Sequence, residues 1–330
     1  MKSGGSSCRS SSCRGTEEER SLKAKPQRIR QPWRRPTVRP PLRIEKSADG
    51  WQVSGPDFRL RIDALTGALR EYSVHDRLLL EEGPELCVWR APTDNDRARM
   101  AVRWKGYGLD RMAHVVRGIA VDREDSSAAT FVVDAFAWGA DTERGFTYRL
   151  TYRITGNGSL TVRLDATPDP SFVDLPRIGL QFRIPKEYDR CAWFGRGPHE
   201  NYRDRCAGAA VGVFDCTLEE FSVPYIYPQE NGNRTEVRRL RLHDGNGAGP
   251  VFSGHPHFEA SAHFHTVEDL TVATHIDELV RRPYTVLHID ARQSGVGVGS
   301  CGPDTLPEYR VDASPIRLEV GIGPTWRGHG

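Results

Sequence analysis

Two segments of this chain crowd hydrogen-bonding side chains into turns broken by glycine and proline. The first runs Trp193-Phe194-Gly195-Arg196-Gly197-Pro198-His199-Glu200-Asn201-Tyr202-Arg203-Asp204-Arg205. The second runs Tyr225-Ile226-Tyr227-Pro228-Gln229-Glu230-Asn231-Gly232-Asn233-Arg234. Apolar strand ends that break into such turns lie at the rim of a β-architecture, where loops bind. Carboxylates, amides and guanidinium groups there suit recognition of a polar ligand, or an internal hydrogen-bond network. Two shorter stretches belong with them: Arg90-Ala91-Pro92-Thr93-Asp94-Asn95-Asp96, and the glycine-rich Gly295-Val296-Gly297-Val298-Gly299-Ser300-Cys301-Gly302-Pro303.

Together these stretches resemble the small chain, or fifth domain, of the lactose-type β-galactosidases of glycoside hydrolase family 2. The pattern W-x-G-x-G-P-x-E-N-Y-x-D-R is met at Trp193, Gly195, Gly197, Pro198, Glu200, Asn201, Tyr202, Asp204 and Arg205. A P-x-E-N-G-x-R loop is met at Pro228, Glu230, Asn231, Gly232 and Arg234, and R-A-P-x-D-N-D at Arg90 to Asp96. Gly295–Pro303 is similar to the family's glycine-rich strand, and the resemblance runs from about Leu42 to about Gly323. It implies an all-β fold, a large antiparallel β-supersandwich of galactose-mutarotase-like type.

The same resemblance implies a division of chemistry. Retaining glycosidases use two carboxyl groups roughly 5–5.5 Å apart, and in this family both come from a TIM barrel that precedes the small domain. The sequence shows no eight-fold strand–helix alternation, so the chain is expected to be inactive alone. Glu17–Glu19, Glu81-Glu82 and Glu219-Glu220 are adjacent carboxylates, which on a strand point to opposite faces; they read as solvated surface. The implied partner is a large chain bearing the barrel. The implied substrate is a terminal β-D-galactoside such as lactose, and the magnesium and sodium sites belong to the large chain. Aligning Ser300-x-x-Pro303 puts Cys301 where many relatives carry a substrate-platform Trp. Glu230–Arg234 resembles a mobile active-site loop, with Asn231, Gly232 and Arg234 as its substrate-side residues. Arg90, Asp94, Asn95 and Asp96, with Glu200, Asn201, Tyr202, Asp204 and Arg205, read as a structural network or an inter-domain contact.

His255, His257, His263 and His265 form two H-x-H pairs, each on one strand face. They match no metal motif and read as surface or half-buried side chains. Seven cysteines, an odd number without C-x-x-C, read as reduced thiols. That and the missing apolar signal segment point to the cytosol.

The 330 residues carry a formal charge of +2. Residues 1–50 hold 13 Lys and Arg against 5 Asp and Glu, which leaves residues 51–330 with 33 against 39. The basic character therefore belongs to a Ser-, Arg- and Pro-rich tail, residues 1–41, expected to be disordered. A mildly acidic body gives no nucleic-acid surface, and no apolar run is long enough to span a bilayer. The folded domain is expected over 42–324, with a short tail over 325–330.

The elements that must hold these turns read as strands. Phe58, Leu60 and Ile62 alternate with arginines, and Asp63–Gly67 turns into Leu69–Val74. Tyr148, Leu150, Tyr152 and Ile154 return through Gly156-Asn157-Gly158 as Leu160, Val162 and Leu164. Further strands are expected over Ala129–Phe136, Ile178–Ile184, Tyr284–Asp290 and Ile316–Ile322. One short helix is expected at Val267–Leu270 after Thr266. Trp51, Trp89, Trp104, Trp138 and Trp193 read as core. Two other readings compete with the enzyme subunit: a stand-alone carbohydrate-binding module, which would need an exposed aromatic platform, and a truncated inactive remnant.

Overall fold

The computed structural model describes residues 39–140 and 142–325. The expectations for the N-terminal tail, and for Glu17–Glu19, concern residues outside this range. Strand formation follows the alternation closely. A first meander comprises β1 (Arg43–Ser47), β2 (Gly50–Ser54), β3 (Phe58–Asp63), β4 (Leu69–Val74) and β5 (Arg77–Cys87). Two short helices, α1 (Asp94–Arg97) and α2 (Met100–Gly106), lead into a second meander. Its strands are β6 (Met112–Asp125), β7 (Ala128–Gly139), β8 (Gly145–Thr155) and β9 (Leu160–Pro168). Then come β10 (Arg177–Pro185), β11 (Arg190–Gly197), β12 (Ala210–Thr217) and α3 (Leu218–Phe221). The chain finishes with β13 (Arg234–His243), β14 (Gly249–His263), α4 (Val267–Val272), β15 (Tyr284–Gln293) and β16 (Ile316–Thr325).

All sixteen strands belong to one antiparallel network, ordered β1-β2-β3-β4-β5-β10-β15-β14-β16-β9-β8-β7-β6. A branch, β13-β11-β12, leaves from β14. The two meanders face each other across a common core. Trp51 on β2 meets Phe131 on β7 edge-on at 6.0 Å between ring centres. The Tyr152 hydroxyl of β8 donates to the Gly67 carbonyl of the β3–β4 turn at 2.9 Å, and Tyr72 of β4 donates to the Gly158 carbonyl of the β8–β9 turn. A continuous set of buried apolar residues from nearly every strand fills the space between. This is the large all-β sandwich that the alternation demands.

Several expectations are corrected. Among the described residues α-helix forms in four places instead of one: α4 opens on Thr266 with a capping box, as expected, and Thr93 and Thr217 cap α1 and α3 in the same way. Glu219 and Glu220 therefore lie on a helical turn; Glu220 closes the cap and Glu219 pairs with Arg281. Glu82 is largely shielded, bridging Arg70 and Arg183. Trp89, Trp104 and Trp193 are buried, whereas Trp51 and Trp138 are half-buried. No helix among the described residues is long and apolar enough to cross a membrane.

Phe131 has no solvent exposure and bridges the two layers. Phe131→Ala is expected to cost about 3–5 kcal/mol, measured as a fall in the urea midpoint at unchanged slope.

Candidate functional site

The four motif stretches lie far apart in sequence and converge on one rim of the sandwich. Arg90 follows β5 and is wholly buried. Its guanidinium grips Asp96 of α1 at 3.1 and 2.8 Å. The remaining N–H groups donate to Ser294 O and to Gly295 O at 3.0 Å, where the glycine-rich stretch leaves β15. Trp104 of α2 covers it, its ring 5.3 Å away. Burial opposes the charge of Arg90, but Asp96 more than offsets this and holds the proton more tightly than usual. Asp96 also accepts from Thr93 N–H at 2.9 Å, so one carboxylate fixes both the arginine and the helix start.

Asn95 works on the same neighbour. Its amide donates to Val296 O at 2.9 Å and Gly297 O at 2.7 Å, while its oxygen accepts from Ser300 N–H and O–H at 2.9 and 2.6 Å. Asp204 completes the clamp, accepting from Val296 N–H at 3.0 Å and Gly297 N–H at 2.7 Å. With its backbone groups taken by these side chains, the glycine-rich stretch is a loop, which corrects the expected strand. Its conformation needs glycine: Gly297 has φ +57°, and a Cβ on Gly295 would stand 2.5 Å from the Asp204 carboxyl carbon. Cys301 lies at the exposed tip, its N–H bonded to Val298 O at 3.1 Å.

The second loop is tied to the first motif through Glu200, which accepts from Gly232 N–H at 2.8 Å and Tyr225 O–H at 2.6 Å and pairs with Arg205. Asn201 takes Thr235 N–H and O–H at 2.9 and 2.6 Å. Tyr202 is buried, with the Arg205 guanidinium 5.3 Å from its ring. Asp94 reaches the loop through its N–H, which donates to Gln229 Oε1 at 2.9 Å; its carboxylate is exposed beside Arg97. Arg97 in turn stacks on Tyr227 at 3.5 Å.

The residues expected to face substrate divide sharply. Asn231 and Arg234 are 5% and 2% exposed and point inward. Asn231 Oδ1 accepts from Val223 N–H at 2.9 Å and its amide donates to Gln229 O at 3.0 Å. Arg234 donates to Gly232 O at 3.0 Å and to Phe221 O at 3.3 Å, its plane 4.3 Å from Phe221 and 5.1 Å from Trp193. Burial without a carboxylate partner lowers its pKa. In the isolated chain these two side chains shape the loop from within through their hydrogen bonds. Gly232, at φ +73°, makes the turn and is also buried. Of the four candidates, Cys301 alone reaches solvent.

Beneath the rim lies a set of charges of which only Glu230 stands in a sequence motif. Arg177 of β10 pairs with Asp290 of β15 and, at 3.2 Å, with Glu230; all three are buried. Gln293 Nε2 donates to Glu230 Oε1 at 3.3 Å. Burial pushes the Glu230 and Asp290 carboxyls up, Arg177 pulls both back, and Arg177 itself holds its proton more firmly than usual. Asn233 donates at 3.0 Å to Glu259, the β14 residue directly across from Asp290. A signal for these residues existed: Arg177 and Asp290 are charges set at the end of otherwise apolar runs.

His263 is fully packed, correcting the surface reading. Its Nε2 donates to Asn231 O at 3.0 Å, and burial lowers its pKa to about 3. His255 and His257 are exposed and His265 half-buried. Among the described residues, no group of three or more His, Cys, Asp or Glu side chains could hold a metal ion.

The chain matches the model of the β-galactosidase small chain family over residues 54–322. It belongs to that family. A β-galactosidase of Arthrobacter sp. (strain B7) is 32% identical over 72% of this chain and 26% of its own length. Those of Actinobacillus pleuropneumoniae and Kluyveromyces lactis are 29% and 30% identical, over 86% and 82% of this chain and 28% and 26% of theirs. The small-chain sequence thus spans about a quarter of the length of the curated relatives it matches. Among solved structures, a galactose 1-epimerase from Lactobacillus acidophilus NCFM superposes at TM-score 0.45 and 7% identity over 87% of this chain and 99% of that one.

Two tests follow from the network. Arg90→Met leaves Asp96 buried and unpaired and is expected to cost about 3–5 kcal/mol, read by urea unfolding. The second concerns pH. Burial raises the Glu259 pKa to about 7 from 4.5. The folded state therefore keeps a proton that the unfolded chain loses, and stability falls between pH 4.5 and 7, then levels. His263 has the opposite sign, its neutral form favoured when folded, so stability is lost as pH drops from 6.5 towards 3. Glu259→Gln is expected to remove the first slope and leave the second, measured as unfolding free energy against pH.

Proposed function

We propose that this chain serves as the small chain of a β-galactosidase, hydrolysing terminal β-D-galactosides such as lactose only together with a large chain. In this reading the large chain's TIM barrel carries both catalytic carboxyl groups and the magnesium and sodium sites. The small chain supplies part of the active-site wall and works in the cytoplasm. One observation carries the proposal: buried ion pairs and side-chain clamps gather all four family motifs onto a single rim and leave Cys301 at its exposed tip. A rim so heavily anchored holds a wall residue in place without help from the ligand, which is what positioning against a sugar requires.

Cys301 gives that wall a compact, polarisable side chain in place of a broad aromatic face. The loop from Glu230 to Arg234 is braced, its shape set by Arg234 and Asn231 from within.

Co-expression with the large chain of a two-chain β-galactosidase is expected to restore hydrolysis of o-nitrophenyl galactoside, whereas each chain alone stays silent. Turnover by the rigorously purified small chain, or no gain with any large chain tried, overturns the proposal. In the restored complex Cys301→Trp is expected to add about 1–2 kcal/mol of apolar contact to the sugar, read as a drop of about tenfold in KM.

A further inference from the structure

The sheet ends in three edges, and they are not alike. β1 carries Arg43, Glu45 and Lys46 within five residues. β6 is interrupted by register shifts and lined with charges from Arg117 to Asp125. Both follow the usual protection of an exposed edge against pairing with another chain. Among the described residues β12 pairs only with β11, and it carries a single charge, Asp215, already bonded to Arg190 and His243.

The hydrogen-bond register of β12 is fixed by the bond from Leu218 N–H to Asp189 O. Bonded pairs recur at every second step of the β11–β12 ladder, so Cys216, Phe214 and Gly212 face β11. Val211, Val213 and Asp215 then turn their N–H and C=O groups to the open side. The side chains of the same residues lie on the outer face. Val211 and Val213 are 43% and 46% exposed, next to Phe194 at 37%.

That apolar strip lies in a basic surround. Among the described residues, the ion pairs of Arg190, Arg196, Arg238 and Arg241 on the same branch go to two carboxylates, Asp215 and Glu236, and Glu220 adds its field at Arg190. Among the described residues no carboxylate pairs with Arg239, which sits directly across Phe194 from Val213. The nearby Glu219 and Glu220 are engaged, by Arg281 and by the Thr217 cap.

We infer that β12 is a docking edge for an extended, acidic polypeptide segment of a partner, which adds as a further antiparallel strand. Backbone groups of Val211, Val213 and Asp215 supply the ladder; on the outer face, at every second residue of the added strand, the valines and Phe194 take apolar side chains and the arginines of that same face take carboxylates. A second copy of this chain fits poorly, because pairing β12 with itself sets two arginine-rich faces side by side. The inference concerns a surface apart from the Cys301 rim and holds or fails independently of the galactosidase reading.

The test titrates the full chain into a fluorescein-labelled peptide about eight residues long to match a strand, with valine and glutamate taking turns along one face and threonine filling the other. Anisotropy is followed at about 50 mM salt, where charge attraction is weakly screened. Saturable binding is expected, at least tenfold weaker for the lysine–valine peptide and for one with N-methylated valines. Val213→Pro removes only an outward N–H and leaves the bonds to β11, so the variant is expected to stay folded by circular dichroism and to bind at least tenfold more weakly. Arg239→Ser is expected to reduce the preference for glutamate over lysine. Absence of saturation overturns the inference. So does equal binding of the lysine peptide, or undiminished binding by folded Val213→Pro. Self-association that Val213→Pro abolishes, seen by sedimentation, assigns the edge to a second copy and also overturns it.

Discussion

The rim of this molecule depends on the buried ion pair between Arg90 and Asp96. A guanidinium held without solvent is tolerable only if every donor finds an acceptor. Arg90 meets that condition by spending its donors on Asp96 and on the carbonyls where β15 gives way to the glycine-rich loop. The pair therefore does two jobs. It closes α1 onto the sheet, and it sets where the next loop begins. Arg177 repeats the arrangement one layer deeper, joining β10, β15 and the second loop through Asp290 and Glu230. Two guanidinium groups thus tie together segments that lie 53, 113 and 205 residues apart in sequence.

These ties explain why so polar a region can sit on a sandwich with an otherwise apolar interior. Three motif side chains serve a neighbouring segment: Glu200 holds Gly232, Asp204 holds Val296 and Gly297, and Asn95 holds Ser300. The cost of removing these groups from water is offset pair by pair. Asn231 is taken up by backbone groups of Val223 and Gln229, whereas Arg234 reaches the carbonyls of Gly232, Asn233 and Phe221 but leaves its Nε without a partner. What is left to meet a partner or ligand is the outer skin of the rim, with Cys301 at one end and the Tyr227–Arg97 stack at the other.

Much of the sandwich was legible in the sequence, because period-two alternation is a local signal. The hairpin through Gly156–Gly158 and the strands at Phe58, Ile178, Tyr284 and Ile316 all lie where that alternation puts them. The helix α2 was not legible: its seven residues carry no long apolar period, and its burial comes from Trp104 packing on Arg90 and bonding to Asp174. The alternation of Gly and Val from 295 to 299 imitates a strand, and only the distant Asp204 and Asn95 make it a loop. In the site, residue types were readable but directions were not. Whether Arg234 faces out or in is decided by Phe221 and Trp193, and nothing in the loop's own sequence records them.

The glycine-rich loop has a consequence for how this protein can vary. A Cβ on Gly299 would stand 2.6 Å from the Asn95 carbonyl oxygen, and one on Gly297 2.4 Å from the Thr305 hydroxyl. The stem of the loop is thereby closed to any larger residue, while Val298 and Cys301 at its tip project into open water. Inherited change in this stretch is funnelled to those few outermost positions. A lineage can retune what the tip offers without disturbing the architecture that presents it.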